Sequence, residues 1–245
     1  PGGSYYLRRL VHGVIMHGEQ FLAPEKRMLP TTYYGPDSGI GRIISVKREA
    51  SREISVGVVG LGAGTLAVYG RKGDSYRFYE INPQVIDVAM KEFSYLTDTP
   101  AKIENLLGDA RLTMEREPAQ NYDVLAIDAF SSDSIPTHLM THQAMGVYLK
   151  NMKADGVIAF HVTNRFLHLA PVVKRIADEH RLHTVLISDE PDDASDFAKT
   201  DWVLVSRSEK ALAHARIANV KEPIGEIPGL RLWTDSFNNL FKILK

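Results

Sequence analysis

Residues 56 to 67 read Val-Gly-Val-Val-Gly-Leu-Gly-Ala-Gly-Thr-Leu-Ala, an apolar run that flows into a glycine-rich turn. Glu80 closes the next apolar run, Tyr76-Arg77-Phe78-Tyr79, twenty positions after Gly60. That arrangement suits a small ligand carrying a ribose. Gly60, Gly62 and Gly64 would let the backbone approach the ligand closely, and a carboxylate ending the second strand can accept two hydrogen bonds from a diol. Alone, the loop specifies only a nucleotide-type ligand. Two more features fall at the ends of later strands. Gly108-Asp109-Ala110 follows the third, and Asp128 ends the fourth, opening Asp128-Ala129-Phe130-Ser131-Ser132-Asp133. A strand-terminal Asp often does no more than cap a helix. Four such features at successive strand ends point to one pocket beyond the carboxyl edge of a sheet.

The elements that must position these residues are readable as alternating patterns. Candidate strands are Ser55–Val59, Ser75–Glu80, Ile103–Leu107, Tyr122–Asp128, Gly156–Val162, His183–Ser188 and Asp201–Ser206, with helical periodicity between them, as in Pro83–Phe93 and Thr141–Lys150. This alternation predicts an α/β fold, a Rossmann-like, doubly wound, mostly parallel seven-stranded sheet. Lys153-Ala154-Asp155-Gly156 reads as a turn before a new strand. Residues 5–22 hold β-prone runs broken by His12-Gly13 and His17-Gly18, which predicts one or two hairpins. Residues 23–38, with Pro24, Pro30 and Pro36, read as a loop, and a helix is expected from Ile40 to Glu49. The boundary falls near residue 38, between an N-terminal β-hairpin region (1–38) and a Rossmann-like catalytic domain (39–245). Residues 189–199 read as a solvated acidic loop, and Trp233–Leu240 as a docked tail that packs on the domain or on another subunit.

Composition narrows the function. The formal net charge is −1, so no polyelectrolyte partner is implied, and nucleic-acid binding is not expected. The absence of cysteine excludes thiolate nucleophiles and cysteine-based metal sites and fits a cytoplasmic setting. Nine histidines are present, but none forms a His-x-x-x-His pair backed by carboxylates on one helix, so no metal site is expected. His161, in His161-Val162-Thr163-Asn164-Arg165, ends the fifth strand and either reaches the pocket mouth or makes a structural turn. No run of eighteen apolar residues offers a spanning helix. The opening Pro-Gly-Gly-Ser suggests that the natural protein extends upstream.

The glycine loop, Glu80-Ile81-Asn82-Pro83, Gly108-Asp109-Ala110 and Tyr122-Asp123-Val124-Leu125-Ala126-Ile127-Asp128 together resemble class I S-adenosylmethionine-dependent transferases. Over roughly residues 8 to 190 they are most similar to the spermidine synthase (polyamine aminopropyltransferase) family and its spermidine-synthase-like relatives. The resemblance implies S-adenosylmethionine, or its decarboxylated form, as cosubstrate and a small-molecule acceptor. Glu80 would hold the ribose, Asp109 the adenine amino group, Ile81 and Ala110 would pack near the base, and the Gly60–Gly64 loop would lie under the amino-acid arm. Asp128 matches the catalytic carboxylate, which accepts the acceptor amine's proton and holds the nucleophile. Relatives are commonly dimers, which implies a homodimer, and some are fused to membrane-spanning segments, which implies a possible membrane tether upstream.

The departures bear on the acceptor. Where the family often carries Asp in the glycine loop, able to hold the ligand's free amine, this chain has Ala63, which tilts the expectation toward intact S-adenosylmethionine. The family's Leu-Asp-Gly-x-x-Gln reads Val11-His12-Gly13-Val14-Ile15-Met16, with Gln20 available in place of the Gln. Thr31-Thr32-Tyr33-Tyr34-Gly35 replaces its acidic Asp-Glu-x-x-Tyr run. His17, Gln20, Tyr34 and Asp133 are the expected acceptor-side residues. With fewer carboxylates than a diamine tunnel wants, three other readings stay open. One is an acceptor-independent cyclase or lyase releasing methylthioadenosine, another a methyltransferase releasing S-adenosylhomocysteine, and the third a non-catalytic nucleoside-binding domain.

Overall fold

The computed structural model describes residues 6–12, 15–129, 136–192 and 197–245. Strands β1 (Leu7–His12) and β2 (Ile15–Phe21) pair antiparallel, so among the described residues the N-terminal region holds one hairpin. After a loop, α1 (Gly39–Ala50) begins where Ser38 Oγ accepts the Gly41 N–H, a cap that satisfies one of the helix's orphan donors. The sheet then builds from β3 (Ser55–Val59), β4 (Ser75–Glu80), β5 (Lys102–Leu107), β6 (Tyr122–Ile127), β7 (Met152–His161), β8 (His183–Asp189), β9 (Thr200–Ser206) and β10 (Lys221–Glu222). Its order is β10-β8-β9-β7-β6-β3-β4-β5, with β3 to β7 parallel and β9 antiparallel to both β7 and β8.

Among the described residues the sheet has eight strands where seven were expected. The eighth is the two-residue β10, which adds to the edge of β8 and is too short to show a period-2 pattern. The expected turn at Lys153–Gly156 is also not a turn. Those residues lie within β7, where Met152 already pairs with Tyr122 and the register shifts before Val124 meets Val157. An irregular ladder, not a chain reversal, accommodates Asp155-Gly156.

Helices cover both faces. In β6, Val124 and Ala126 join a core with Ile40, Ile43 and Ile44 of α1, whereas Leu125 and Ile127 join the opposite core. Alternate residues of a strand face opposite sides, so β6 is apolar throughout because both sides are covered. The first face also receives α2 (Pro83–Glu92) and α3 (Tyr95–Asp98), and the second α4 (Ala110–Arg116), α5 (His142–Lys150) and α6 (Ala170–Glu179). The C-terminal tail docks on the second face. Trp233 is buried in that core, and Asp235 takes a bidentate ion pair from Arg111 of α4 at 2.7 and 2.6 Å. Among the described residues no helix is long and apolar enough to cross a membrane.

Candidate active site

The chain passes from β3 outward through β4 to β5 and then returns to place β6 on the other side of β3. The crevice at such a switch point is where doubly wound sheets take ligands. Three of the sequence features meet there, since Glu80 also accepts the Leu61 N–H of the loop. The loop after β3 and the end of β6 touch, and a Cβ at Gly60 would stand 2.5 Å from the Asp128 carbonyl oxygen. Gly60, Gly62 and Gly64 all have positive φ, at 95°, 53° and 80°. A Cβ on Gly62 would lie 2.4 Å from the His17 carbonyl oxygen, so the hairpin presses directly on the loop. The same carbonyl accepts the Ala63 N–H at 3.2 Å.

Ala63 therefore does something other than the sequence suggested. It is 1% exposed, and a Cβ built on Gly18 would stand 2.6 Å from its methyl group. The side chain is a packing contact with the hairpin.

Glu80 ends β4 with its carboxylate clamped by backbone. Leu61 N–H donates to Oε2 at 3.1 Å and Asn82 N–H to Oε1 at 2.9 Å. Each oxygen keeps lone pairs for a further donor. Beyond β5, Asp109 caps α4 through Oδ1, accepting the Leu112 N–H at 2.8 Å, and its Oδ2 lies 2.9 Å from His138 Nε2. Ala110 is buried in the first turn of α4. Ile81 is 70% exposed, and Leu107 and Leu112 are exposed as well. These three apolar side chains lie next in sequence to Glu80 and close on either side of Asp109.

Asp128 follows β6, and its side chain is 8% exposed. Tyr34 Oη donates to Oδ2 at 2.6 Å, and His161 Nδ1 lies 2.7 Å from Oδ1. Burial first, then the charge of Asp128 and the hydrogen bond to it, push the Tyr34 phenol well above its ordinary range, so it stays protonated and donates. His161 ends β7 opposite Trp202 on β9 and stacks on that indole at 4.6 Å and 12°. Tyr33 lies 5.2 Å from the same imidazole. Burial raises the Tyr33 phenol, helped by the charges of Asp128 and Glu19. Glu19 is thus an acidic neighbour that the sequence reading missed, buried on β2 and paired with Arg9 at 2.8 Å.

The remaining expected acceptor-side residues are placed differently. Gln20 donates to Ser94 Oγ at 3.0 Å and to Arg27 O at 2.9 Å and accepts the Ser94 N–H at 3.0 Å, so its amide ties β2 to the start of α3. His17 meets the glycine loop through its backbone carbonyl. Asp133 lies outside the described residues. The acidic stretch after β8 is not wholly solvated, because Phe197 bridges to Thr32 and its ring packs on Gly35, beside Tyr34. His138, Glu19 and the His161–Trp202 pair gave no spacing signal, since each partner comes from a distant element.

No family model matches the chain. A curated relative, the polyamine aminopropyltransferase of Vibrio vulnificus, is 30% identical over 114 residues, covering 44% of this chain and 36% of that protein. The chain thus matches only about a third of that relative's length. Among solved structures, the spermidine synthase of Thermotoga maritima aligns with a TM-score of 0.51 at 18% identity, over 71% of this chain and 61% of that one. A probable spermidine synthase from Corynebacterium glutamicum gives 0.52 at 14% identity, over 84% and 80%. Human methyltransferase-like protein 13, in complex with SAH, gives 0.52 at 18% identity, over 69% and 78%. At these identities the structures speak for the fold.

Proposed function

We propose, for a chain with the spermidine-synthase-like form of the class I S-adenosylmethionine-dependent methyltransferase fold, that it moves an alkyl arm from an adenosyl sulfonium to a nucleophile. The cosubstrate is S-adenosylmethionine or its decarboxylated form, the arm is of the aminopropyl type, and 5′-methylthioadenosine leaves. The curated relative is an aminopropyltransferase, and the structural relatives named above are spermidine synthases and a methyltransferase-like protein.

The residues present fit such a ligand. Glu80, oriented by two backbone N–H groups, has acceptor capacity left for a ribose diol. Asp109 and the exposed Ile81, Leu107 and Leu112 supply a polar acceptor and an apolar surface for a base. The glycine loop, with no side chains at three of its five positions, would lie under the arm. When bound, the sulfonium supplies an electrophilic carbon and a neutral thioether leaving group.

One observation carries the reading: a buried Asp128 at the switch point, with a protonated Tyr34 donating to it at 2.6 Å. Asp128 holds the acceptor amine and takes its proton as the C–N bond forms and the C–S electron pair passes to sulfur. The leaving group is neutral, so no acid is needed to expel it. The test is to incubate the protein with each sulfonium, alone and with a panel of amines, and identify the products by mass spectrometry. Methylthioadenosine that requires an amine and is lost in Asp128→Asn supports the reading. Methylthioadenosine formed without any acceptor replaces it with a lyase or cyclase, and S-adenosylhomocysteine replaces it with methyl transfer.

A further inference from the structure

We infer that His161 is a positioning residue for Asp128, an inference that rests on the transferase reading above. A carboxylate on a single bond can rotate and present either oxygen, and a buried one has lost the water that would otherwise satisfy it. Asp128 has neither freedom. Tyr34 anchors Oδ2 from the loop before α1, and His161 anchors Oδ1 from the end of β7. Two donors from separate elements fix the carboxylate plane, and each oxygen keeps a lone pair for the acceptor amine.

His161 is itself held on every side. Its backbone is in register with Trp202, its ring stacks on that indole, and it is 6% exposed. Its second nitrogen, Nε2, lies 3.2 Å from Thr200 Oγ1, and Thr200 is buried. A carboxylate is a stronger acceptor than a hydroxyl, so Nδ1 carries a proton and donates it to Asp128, while Nε2 faces the Thr200 hydroxyl. Turning the ring over would set a carbon against the carboxylate. Thr200 Oγ1 lies 3.4 Å from Thr163 Oγ1, which accepts the Asp201 N–H at 2.7 Å. A polar chain therefore runs from Asp128 to the backbone of β9 and sets the orientation of the ring. In the proposed transfer His161 touches no substrate. The amine proton goes to Asp128, and His161 keeps that acceptor aimed.

Two variants test this in the whole protein. His161→Phe keeps an aromatic ring over Trp202 and removes the donor. His161→Asn places an amide N–H close to where Nδ1 stood. For His161→Phe we expect kcat to fall roughly 10- to 100-fold, as for loss of one charge-assisted hydrogen bond expressed in the transition state, with both KM values within about threefold. His161→Asn should recover most of that loss. A packing role alone predicts that His161→Phe is harmless, or that the two variants fall together with their melting temperatures. Either result overturns the inference. Proton NMR of the substrate-free protein gives a readout independent of turnover. An imidazole Nδ1–H resonance displaced downfield by a carboxylate should be present in the parent and lost in Asp128→Asn, and its absence from the parent also overturns the inference. A parent that shows the resonance yet turns over no sulfonium would sink the transferase reading, and the positioning role with it, while leaving the Asp128–His161 contact standing.

Discussion

Glu80→Gln changes one atom's chemistry in a carboxylate that the backbone grips from two sides. Leu61 N–H approaches Oε2 at 3.1 Å and Asn82 N–H approaches Oε1 at 2.9 Å. An amide offers one acceptor oxygen. Whichever way it turns, its NH2 faces a backbone N–H that it cannot accept, and one ribose hydroxyl loses its acceptor. The two losses are read separately. The backbone bond belongs to the free protein and shows as a lower melting temperature. The ribose bond belongs to the complex, and a hydrogen bond to a charged group is worth about 1.5–3 kcal/mol, which weakens binding roughly 10- to 150-fold. Isothermal titration with 5′-methylthioadenosine measures this, and its 2′- and 3′-deoxy analogues localise it. The parent should lose affinity for at least one deoxy analogue, and Glu80→Gln should lose little further on that ligand. Equal affinity of parent and variant for methylthioadenosine, or an equal deoxy penalty in both, would refute the assignment of Glu80 to the ribose.

Four other outcomes follow from particular contacts. Tyr34→Phe removes the 2.6 Å donor to Asp128, and steady-state kinetics should show kcat lowered roughly 10- to 100-fold with cosubstrate affinity kept. Gly62→Ala puts a methyl group 2.4 Å from a backbone oxygen at a φ of 53°, so its melting temperature should fall, by about 5 °C or more for a clash on top of left-handed strain. Gly146→Ala on α5 meets nothing within 4 Å and should hold or raise the melting temperature. Asp74 is buried with both oxygens on the Arg48 guanidinium. Its burial alone would raise its titration, but Arg48 and the N–H groups of Ile54 and Arg71 outweigh that and hold it below the usual carboxylate range. Its stabilising contribution is therefore complete above an unfolded Asp's value of about 4 and is lost as pH falls through the lower folded value. Asp74→Asn should cost about 3–5 kcal/mol near neutrality and flatten the loss of stability below pH about 4. Urea unfolding across pH checks this, and parallel pH slopes for parent and variant would contradict it.

Much of the sheet was legible because its strands are covered on both faces and read as continuous apolar runs between turn residues. Ser55–Val59 and Ser75–Glu80 match their expected bounds. Ends set by pairing were not. β7 starts at Met152 because Tyr122 is there to pair with it, and no local pattern encodes that partner. The site divides in the same way. Glu80 ends β4 and Asp109 follows β5, positions that local spacing marks. The meaning of Ala63 depended on Gly18, forty-five positions away, and the environment of Asp128 on Tyr34, His161 and Trp202 from three other segments. A single sequence carries no distance between such residues, so chemistry built across elements became visible only in the fold.

The central claim is that the arm moves and the methyl group stays. In the proposed transfer Asp128, held between Tyr34 and His161, takes the proton of an incoming amine. Carbon-13 on the sulfonium methyl of the cosubstrate decides between the two fates in one spectrum. The account predicts that all of the label leaves in 5′-methylthioadenosine and none reaches the acceptor. Label on the acceptor, with unlabelled S-adenosylhomocysteine beside it, would contradict it.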